Sequence, residues 1–502
     1  MFQKNEKSIA AEHVHTFDAR VLKEVKRHVD DCSLRDYSAK LLLKFIQCIE
    51  VYRSRREIID SFDFSPEVLY PWKELDFLSR QLGDAYMDVI GPTMKTYTLS
   101  SVEQFSKRSL HELLWTPYLP SSHLVLTIVP RDFFSALNQH LGAIRQCESL
   151  ELRGKALCYV VEEVERYAYQ SGKQVFSMWR QSNGEDTDLR DLALAVINDM
   201  GTLLDHLEQV EYELKDIVSS CGYDIAEQGQ MLNQNESDML ETKSRIPQVI
   251  EDIKGHGRAL IEIPLAAINS DLKAVIDQIT EQTLKSEEDR VEKCTKMMGT
   301  MRATACDYLD EFRTLMEPYF FEILAGMVVE RIQHTFLAFV LGVNLNNHKI
   351  RKNSLVLSAN GIQEFTHEAD AIEDFSHRYL YRGTRHLVLA AVEHVSKGLT
   401  SESDELGPLG DIGLTQCQSY PMGYAVLYSM MIALRSDIPE YQKHNLVLDV
   451  QKQVLESPDS DEAKRPPEAV NSDPKAWRPD FSFCHTVFKF FPPQSNAIRD
   501  LM

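Results

Sequence analysis

The stretch from Cys306 to Val343 constrains the fold more than any other part of the sequence. Large apolar side chains recur in it at a spacing that places them on one wide face of an α-helix. They are Tyr308, Phe312, Leu315, Tyr319, Ile323, Met327, Ile332, Phe336 and Phe339. Pro318 interrupts the pattern, and because proline removes a backbone donor we predict two helical segments that meet there. A face this wide needs cover from several neighbouring helices.

We interpret this stretch as central bundle helices and not as a membrane span. Glu322, Glu330, Arg331 and His334 fall inside the length that would have to cross the bilayer, and each would be costly at its centre. Elsewhere the sequence holds no uninterrupted apolar run of about 18 residues, and its first residues lack the apolar core of a signal peptide. The sequence therefore predicts a soluble protein.

The charge of the chain limits its partners. Its 54 basic and 76 acidic side chains give a formal net charge of -22, so the phosphate backbones of nucleic acids are repelled. The nine cysteines include no C-x-x-C pair, which indicates reduced thiols in the cytosol, most of them buried. At 502 residues the chain is long enough for about three domains.

Polar stretches divide the helical patterns into segments. The linker from Ser182 to Asp188 predicts one boundary, and the connector after Val343 predicts another. We expect an all-α fold, an elongated rod of consecutive helical bundles of the multisubunit-tether type. Its predicted parts are an N-terminal helical segment (1–62), three bundles (63–185, 186–343 and 344–456) and a disordered, proline-rich tail (457–502).

The segment after the first linker has the most regular heptad pattern in the chain. Its apolar residues alternate steps of four and three, which is typical of a helix paired lengthwise with another. They are Val196, Met200, Leu203, Leu207, Val210, Leu214 and Ile217. We favour packing inside this chain over an intermolecular coiled coil, because the seam is short and lies mid-chain.

Three shorter signals complete the pattern. Leu42 to Ile49 carries an apolar helical stripe that can either fold back on the first bundle or pair with helices of other subunits. Gly91-Pro92 follows a helical pattern that starts near Pro71, and we predict that the helix ends there. Leu124 to Val129 is strand-like, but without a second strand nearby we favour an extended connector.

Motifs for catalysis are missing from the sequence. It contains no Walker loop, no G-x-S-x-G and no H-E-x-x-H. Glu364 with His367 and Asp374 with His377 resemble the E-x-x-H pairs of di-iron bundles. Both pairs lie on one predicted helix, about 15 Å apart, which is too far for a single dinuclear centre. We therefore predict a solvated helix face and assign no catalytic, cofactor-binding or metal-binding residue.

Several local patterns between about residues 60 and 455 are specific enough to compare with known families. In the central stretch they are Asp307-Tyr308 with Phe312, Val328-Val329-Glu330, and Glu368-Ala369 with Ile372 and Phe375. Outside it they are Pro130 to Phe134 with Leu137-Asn138, and Ser436 to Pro439. Together they resemble exocyst complex component three, the Sec-six subunit family of the vesicle-tethering exocyst. All are helix-packing patterns, and none is a catalytic signature.

The resemblance implies a non-enzymatic subunit that acts in docking of secretory vesicles at the plasma membrane. The partners it implies are other exocyst subunits and plasma-membrane SNARE proteins or their regulators, with a cytoplasmic location and peripheral membrane association through those partners. Because that family carries an N-terminal coiled coil, we favour partner helices for the stripe at Leu42 to Ile49 and treat segment 1–62 as a coiled-coil remnant. A SNARE-assembly or other helical-rod tethering factor, and a metal-binding bundle oxidoreductase, remain as alternatives.

Overall fold

The structure, a computed structural model, describes residues 39–60, 72–115, 124–132, 150–182, 187–220, 234–280, 287–340 and 357–400, with isolated positions or short runs in 20–27, 141–144 and 432–446. The predicted tail 457–502 and the connector after Val343 lie outside these ranges. The chain divides into two compact units, residues 1–117 with 125–257 and residues 118–124 with 258–502. The division into three bundles stays a prediction.

Long helices make up the first unit. They are α1 (Ala39–Asp60), α2 (Trp72–Glu103), the short α3 (Leu110–Leu113), α4 (Leu150–Gln181), α5 (Thr187–Ser220) and α6 (Gln234–Leu260), of which residues 258–260 belong to the second unit. A 3₁₀ turn lies at Gln104–Ser106. In this unit α1 packs on α2, α2 on α4, and α4 on α5. Thus the helices on either side of the predicted linker at Ser182 lie against each other.

The heptad seam lies on α5 and is buried within this chain. Its residues from Val196 to Ile217 are between 0% and 6% exposed. The N-terminal half of α5, from Leu192 to Met200, is buried on every side. The prediction that this seam packs inside the chain is confirmed, because no partner is needed to cover it.

The prediction that the helix ends at Gly91-Pro92 is wrong. Helix α2 continues through Pro92 to Glu103. Pro92 is exposed, and Gly91 is buried against the ring of Tyr159 on α4, whose hydroxyl donates to the carbonyl oxygen of Gly91. Packing and this hydrogen bond offset the backbone bond that proline removes.

A small β-pair corrects the interpretation of Leu124 to Val129. Strand β1 (Leu114–Trp115) pairs antiparallel with β2 (Leu126–Thr127), and the chain turns helical again at Ile128. The partner strand was missed because two residues at the end of a helical pattern give no period-two signal. The prediction of an all-α fold is nevertheless confirmed, since this pair is the one sheet in the part of the chain that the structure describes.

The second unit is built around the central stretch. Its helices are α7 (Glu262–Thr280), α8 (Glu287–Leu315), α9 (Pro318–Val340), α10 (Ala359–Tyr379) and α11 (Arg382–Thr400). Helix α8 packs on α7, α9 and α10, and α9 also packs on α11. The predicted break at Pro318 is confirmed, with proline at the first position of α9, where its missing donor costs nothing.

Helix α9 is the core of this unit. Phe320, Leu324, Val328 and Ile332 are fully buried, and Phe336 is 3% exposed. The side chain of Glu317 accepts from the amide of Phe320 (3.2 Å) and so caps the start of the helix. Among the described residues, no helix is long and apolar enough to cross a membrane.

Candidate functional site

The residues considered for a metal site lie along one face of α10. Glu364, His367, Asp374 and His377 are all exposed. The Nδ1 atom of His377 contacts the guanidinium group of Arg385, and its Nε2 atom lies 3.6 Å from the carboxylate of Glu373. Within the described ranges, no group of three or more His, Cys, Asp or Glu side chains is placed to hold a metal ion. The four residues form the predicted solvated face.

A buried polar cluster in the first unit was not predicted. Asp199 on α5 accepts the backbone amide of Thr127 (2.9 Å), the Thr127 hydroxyl (2.7 Å) and the hydroxyl of Tyr167 on α4 (2.6 Å). The neighbouring Asn198 donates to the carbonyl oxygen of Val125 (3.0 Å). Asp199 and Thr127 are fully buried. The only signal in the sequence is a polar pair inside the apolar run from Leu192 to Met200.

The cluster places Asp199 in an unusual electrostatic environment. Burial raises the pKa of its carboxyl from 3.8 to about 7, although the three donated hydrogen bonds act to lower it. Burial and the nearby Asp199 carboxylate raise the pKa of Tyr167 well above its ordinary value. Every polar atom described here has a protein partner, so the cluster anchors β2 to α4 and α5 instead of presenting groups to a substrate.

In the second unit, polar contacts join several helices. Arg302 on α8 pairs with the buried carboxylate of Glu368 on α10. Asp310 on α8 accepts from the hydroxyl of Tyr379 (2.9 Å), and Glu322 on α9 accepts from Thr384 on α11 (2.5 Å). Glu368 belongs to a pattern that supports the family resemblance, and its role here is to connect two helices.

The charged residues inside α9 also have a structural setting. Burial raises the pKa of Glu330 to about 7. Burial, with a smaller contribution from the charge of Arg331, lowers the pKa of His334 to about 4. His334 is therefore neutral near pH 7, and Glu330 is close to half protonated there, so the core carries less charge at these positions than the sequence implies.

The N-terminal stripe is covered by the chain itself. Leu42, Ile46 and Ile49 are 0%, 1% and 3% exposed, and α1 packs on α2. The prediction that this stripe prefers partner helices is wrong, because each buried aliphatic side chain gains about 1.5 to 3 kcal/mol by leaving water and α2 is within reach. Most residues before Ala39 lie outside the described ranges, so the coiled-coil remnant stays a prediction.

Cysteine placement differs from the expectation of mostly buried thiols. Among the described residues, Cys294 is buried, Cys158 and Cys306 are partly buried, and Cys48 is exposed. All four are free thiols, as the spacing of the nine cysteines in the sequence predicts.

Taken together, these features define an all-helical scaffold whose described polar clusters hold helices to one another. The structure is similar to the crystal structure of the C-terminal domain of the exocyst subunit Sec6p, with a TM-score of 0.52 and 11% identity over 76% of this chain and 92% of that chain. It is also similar to the crystal structure of M-Sec, with a TM-score of 0.56 and 14% identity over 94% of this chain and 70% of that chain. The resemblance seen in the sequence is thus confirmed at the level of fold.

These similarities concern the arrangement of helices, because so few residues are identical. No protein-family model matches the sequence, and no curated protein matches it. What the two proteins share with this chain is therefore the fold.

Proposed function

We propose that this chain is a non-enzymatic subunit of a vesicle-tethering complex of the exocyst type, acting through protein-protein contacts in the docking of secretory vesicles. The observation that supports this most is the fold, which covers 92% of the Sec6p C-terminal domain. The partners under this proposal are other subunits of the complex and plasma-membrane SNARE proteins or their regulators. The chain would work in the cytoplasm, with peripheral association at sites of secretion.

The test is affinity purification of the tagged full chain from cell extract, followed by identification of the proteins that co-elute. Other subunits of the tethering complex are expected in near-stoichiometric amounts. The matched control is Leu207→Asp, which puts a charge into the buried seam of α5 and should remove those subunits while leaving the nonspecific background. Recovery of the chain alone, or the same proteins from the control, would contradict the proposal.

A further inference from the structure

The connection between α10 and α11 presents an exposed aromatic side chain on a fixed turn. Helix α10 ends at Tyr379 and α11 begins at Arg382. Tyr379 and Leu380 are each 6% exposed, whereas Tyr381 is 72% exposed. Because the two residues before it are buried and α11 begins directly after it, the backbone of Tyr381 is held in place, and a partner that covers its ring has little backbone entropy to remove.

Four arginines from three elements surround this turn. Arg313 comes from α8, Arg378 from α10, and Arg382 and Arg385 from α11. Arg313 donates to the carbonyl oxygen of Arg378 (3.5 Å), and Arg385 reaches His377 next to Arg378. These contacts bring the helices together at the turn. We call Arg313, Arg378, Tyr381, Arg382 and Arg385 the turn patch.

Much of the donor capacity of the turn patch is unused. Within the ranges that the structure describes, the side chain of Arg382 forms no hydrogen bond or ion pair. Arg378 binds Asp310 at 2.5 Å, yet its side chain is still 54% exposed. A guanidinium group carries five N–H donors in a planar fork that matches a carboxylate. The patch therefore retains positive donors in a chain whose net charge is -22.

We propose that the turn patch docks an acidic segment of a partner protein, with Tyr381 as the apolar anchor. This rests on the proposed function, which requires surfaces that bind other proteins. Tyrosine and arginine are the residues most often found at the energetic centre of such interfaces. A short acidic segment interacts mainly with charges within about 10 Å. Asp310 and Glu322 lie at the turn, but among the described residues only Arg378 of the four arginines pairs with a carboxylate, so three guanidinium groups remain to attract such a segment. An anionic membrane is an extended surface and is repelled by the acidic remainder of the chain, so the charges favour a protein segment.

The experiment measures binding of a defined probe to the purified full chain. The probe is a short fluorescein-labelled peptide with glutamates on one helical face and leucines on the other, followed by fluorescence anisotropy. We expect binding that weakens between about 50 and 300 mM NaCl. Tyr381→Ala and Arg382→Glu should each weaken it by at least about fivefold. Both side chains are exposed, so the melting temperature should not change.

Matched controls come from the first unit. Tyr212 is 75% exposed on α5, beside Glu211, so Tyr212→Ala removes a side chain of similar exposure from an acidic surface. Arg108→Glu reverses an exposed charge elsewhere. Neither control should change the affinity by more than about twofold. Absence of peptide binding, or an equal loss in the controls, would overturn the proposal.

A second arm uses vesicles of phosphatidylcholine with phosphatidylserine. Binding to these vesicles that depends on Tyr381 and Arg382 would mean that the patch recognises a lipid surface, and would overturn the choice of a protein segment. Failure of the turn patch and failure of the proposed function give different results in these experiments. If the peptide binds but no tether subunits co-purify, the proposed function fails. If the subunits co-purify and the peptide does not bind, the turn patch alone fails.

Discussion

At the scale of single residues, Asp199 should control part of the pH dependence of stability. Its pKa is about 7 in the folded chain and near 3.8 when exposed. Between these values the folded state holds a proton that the unfolded state has released, so the free energy of unfolding should fall as pH rises from about 4 to about 7, by up to about 4 kcal/mol. Urea unfolding across this range should show the fall, and Asp199→Asn should flatten it.

Two other buried groups, Glu330 and His334, titrate in the same pH range, but their contributions to the free energy of unfolding have opposite signs and largely cancel. The raised pKa of Glu330 gives a fall in stability with rising pH, whereas the lowered pKa of His334 gives a rise, because the unfolded state then binds the extra proton. Glu330→Gln alone should therefore leave the rise contributed by His334 unopposed, so that stability falls less with rising pH than in the wild type. An Asp199→Asn variant whose pH profile matches that of the wild type would contradict the assignment to Asp199.

At the scale of elements, the seam of α5 offers a direct test of packing. Leu207 is fully buried, so Leu207→Asp should destabilise the chain by about 3 to 5 kcal/mol through a buried, unpaired charge. Tyr212→Asp, on the exposed side of the same helix, should change the stability by less than about 0.5 kcal/mol. A Leu207→Asp protein with unchanged thermal stability and a new oligomeric state would favour the intermolecular seam instead.

The packing of α1 on α2 predicts the effect of an N-terminal deletion. Removing residues 1–62 takes away Leu42, Ile46 and Ile49 and leaves the face of α2 that they cover in water. We expect the remainder to lose several degrees in melting temperature and to unfold less cooperatively by calorimetry. A remainder with unchanged stability, together with loss of partner subunits in a pull-down, would restore the assembly role for this helix.

Helices with strong periodicity could be predicted from the sequence, and local exceptions could not. The seam of α5 and the break at Pro318 follow from apolar spacing and from the missing donor of proline, which act within a few residues. The course of α2 past Pro92 depends on Tyr159, which lies 68 residues beyond Gly91. The position of β2 depends on β1 and on Asp199, which lies 72 residues beyond Thr127. Tertiary contacts of this kind leave almost no trace in local spacing.

At the scale of the whole molecule, the metal-dependent alternative makes a measurable prediction. Among the described residues, the E-x-x-H side chains on α10 do not come together in a group that could hold a metal ion. We therefore expect elemental analysis of the purified protein to find well below one equivalent of iron. The matched comparison is His367→Ala with His377→Ala, which should leave the metal content and the melting temperature unchanged. A stoichiometric iron content that is lost in this variant would overturn the non-enzymatic interpretation.

The corner between α8 and α9 also limits how this chain can change in length. Two residues, Met316 and Glu317, separate the helices. One inserted residue that joins α9 would rotate everything after it by about 100° and shift it by about 1.5 Å. Contacts that α8 makes with helices after the corner would be lost, among them the ion pair of Arg302 with Glu368 and the hydrogen bond from Tyr379 to Asp310. Insertions at this corner should therefore be tolerated less well than most substitutions within it, so natural variation should conserve its length more strictly than its residues.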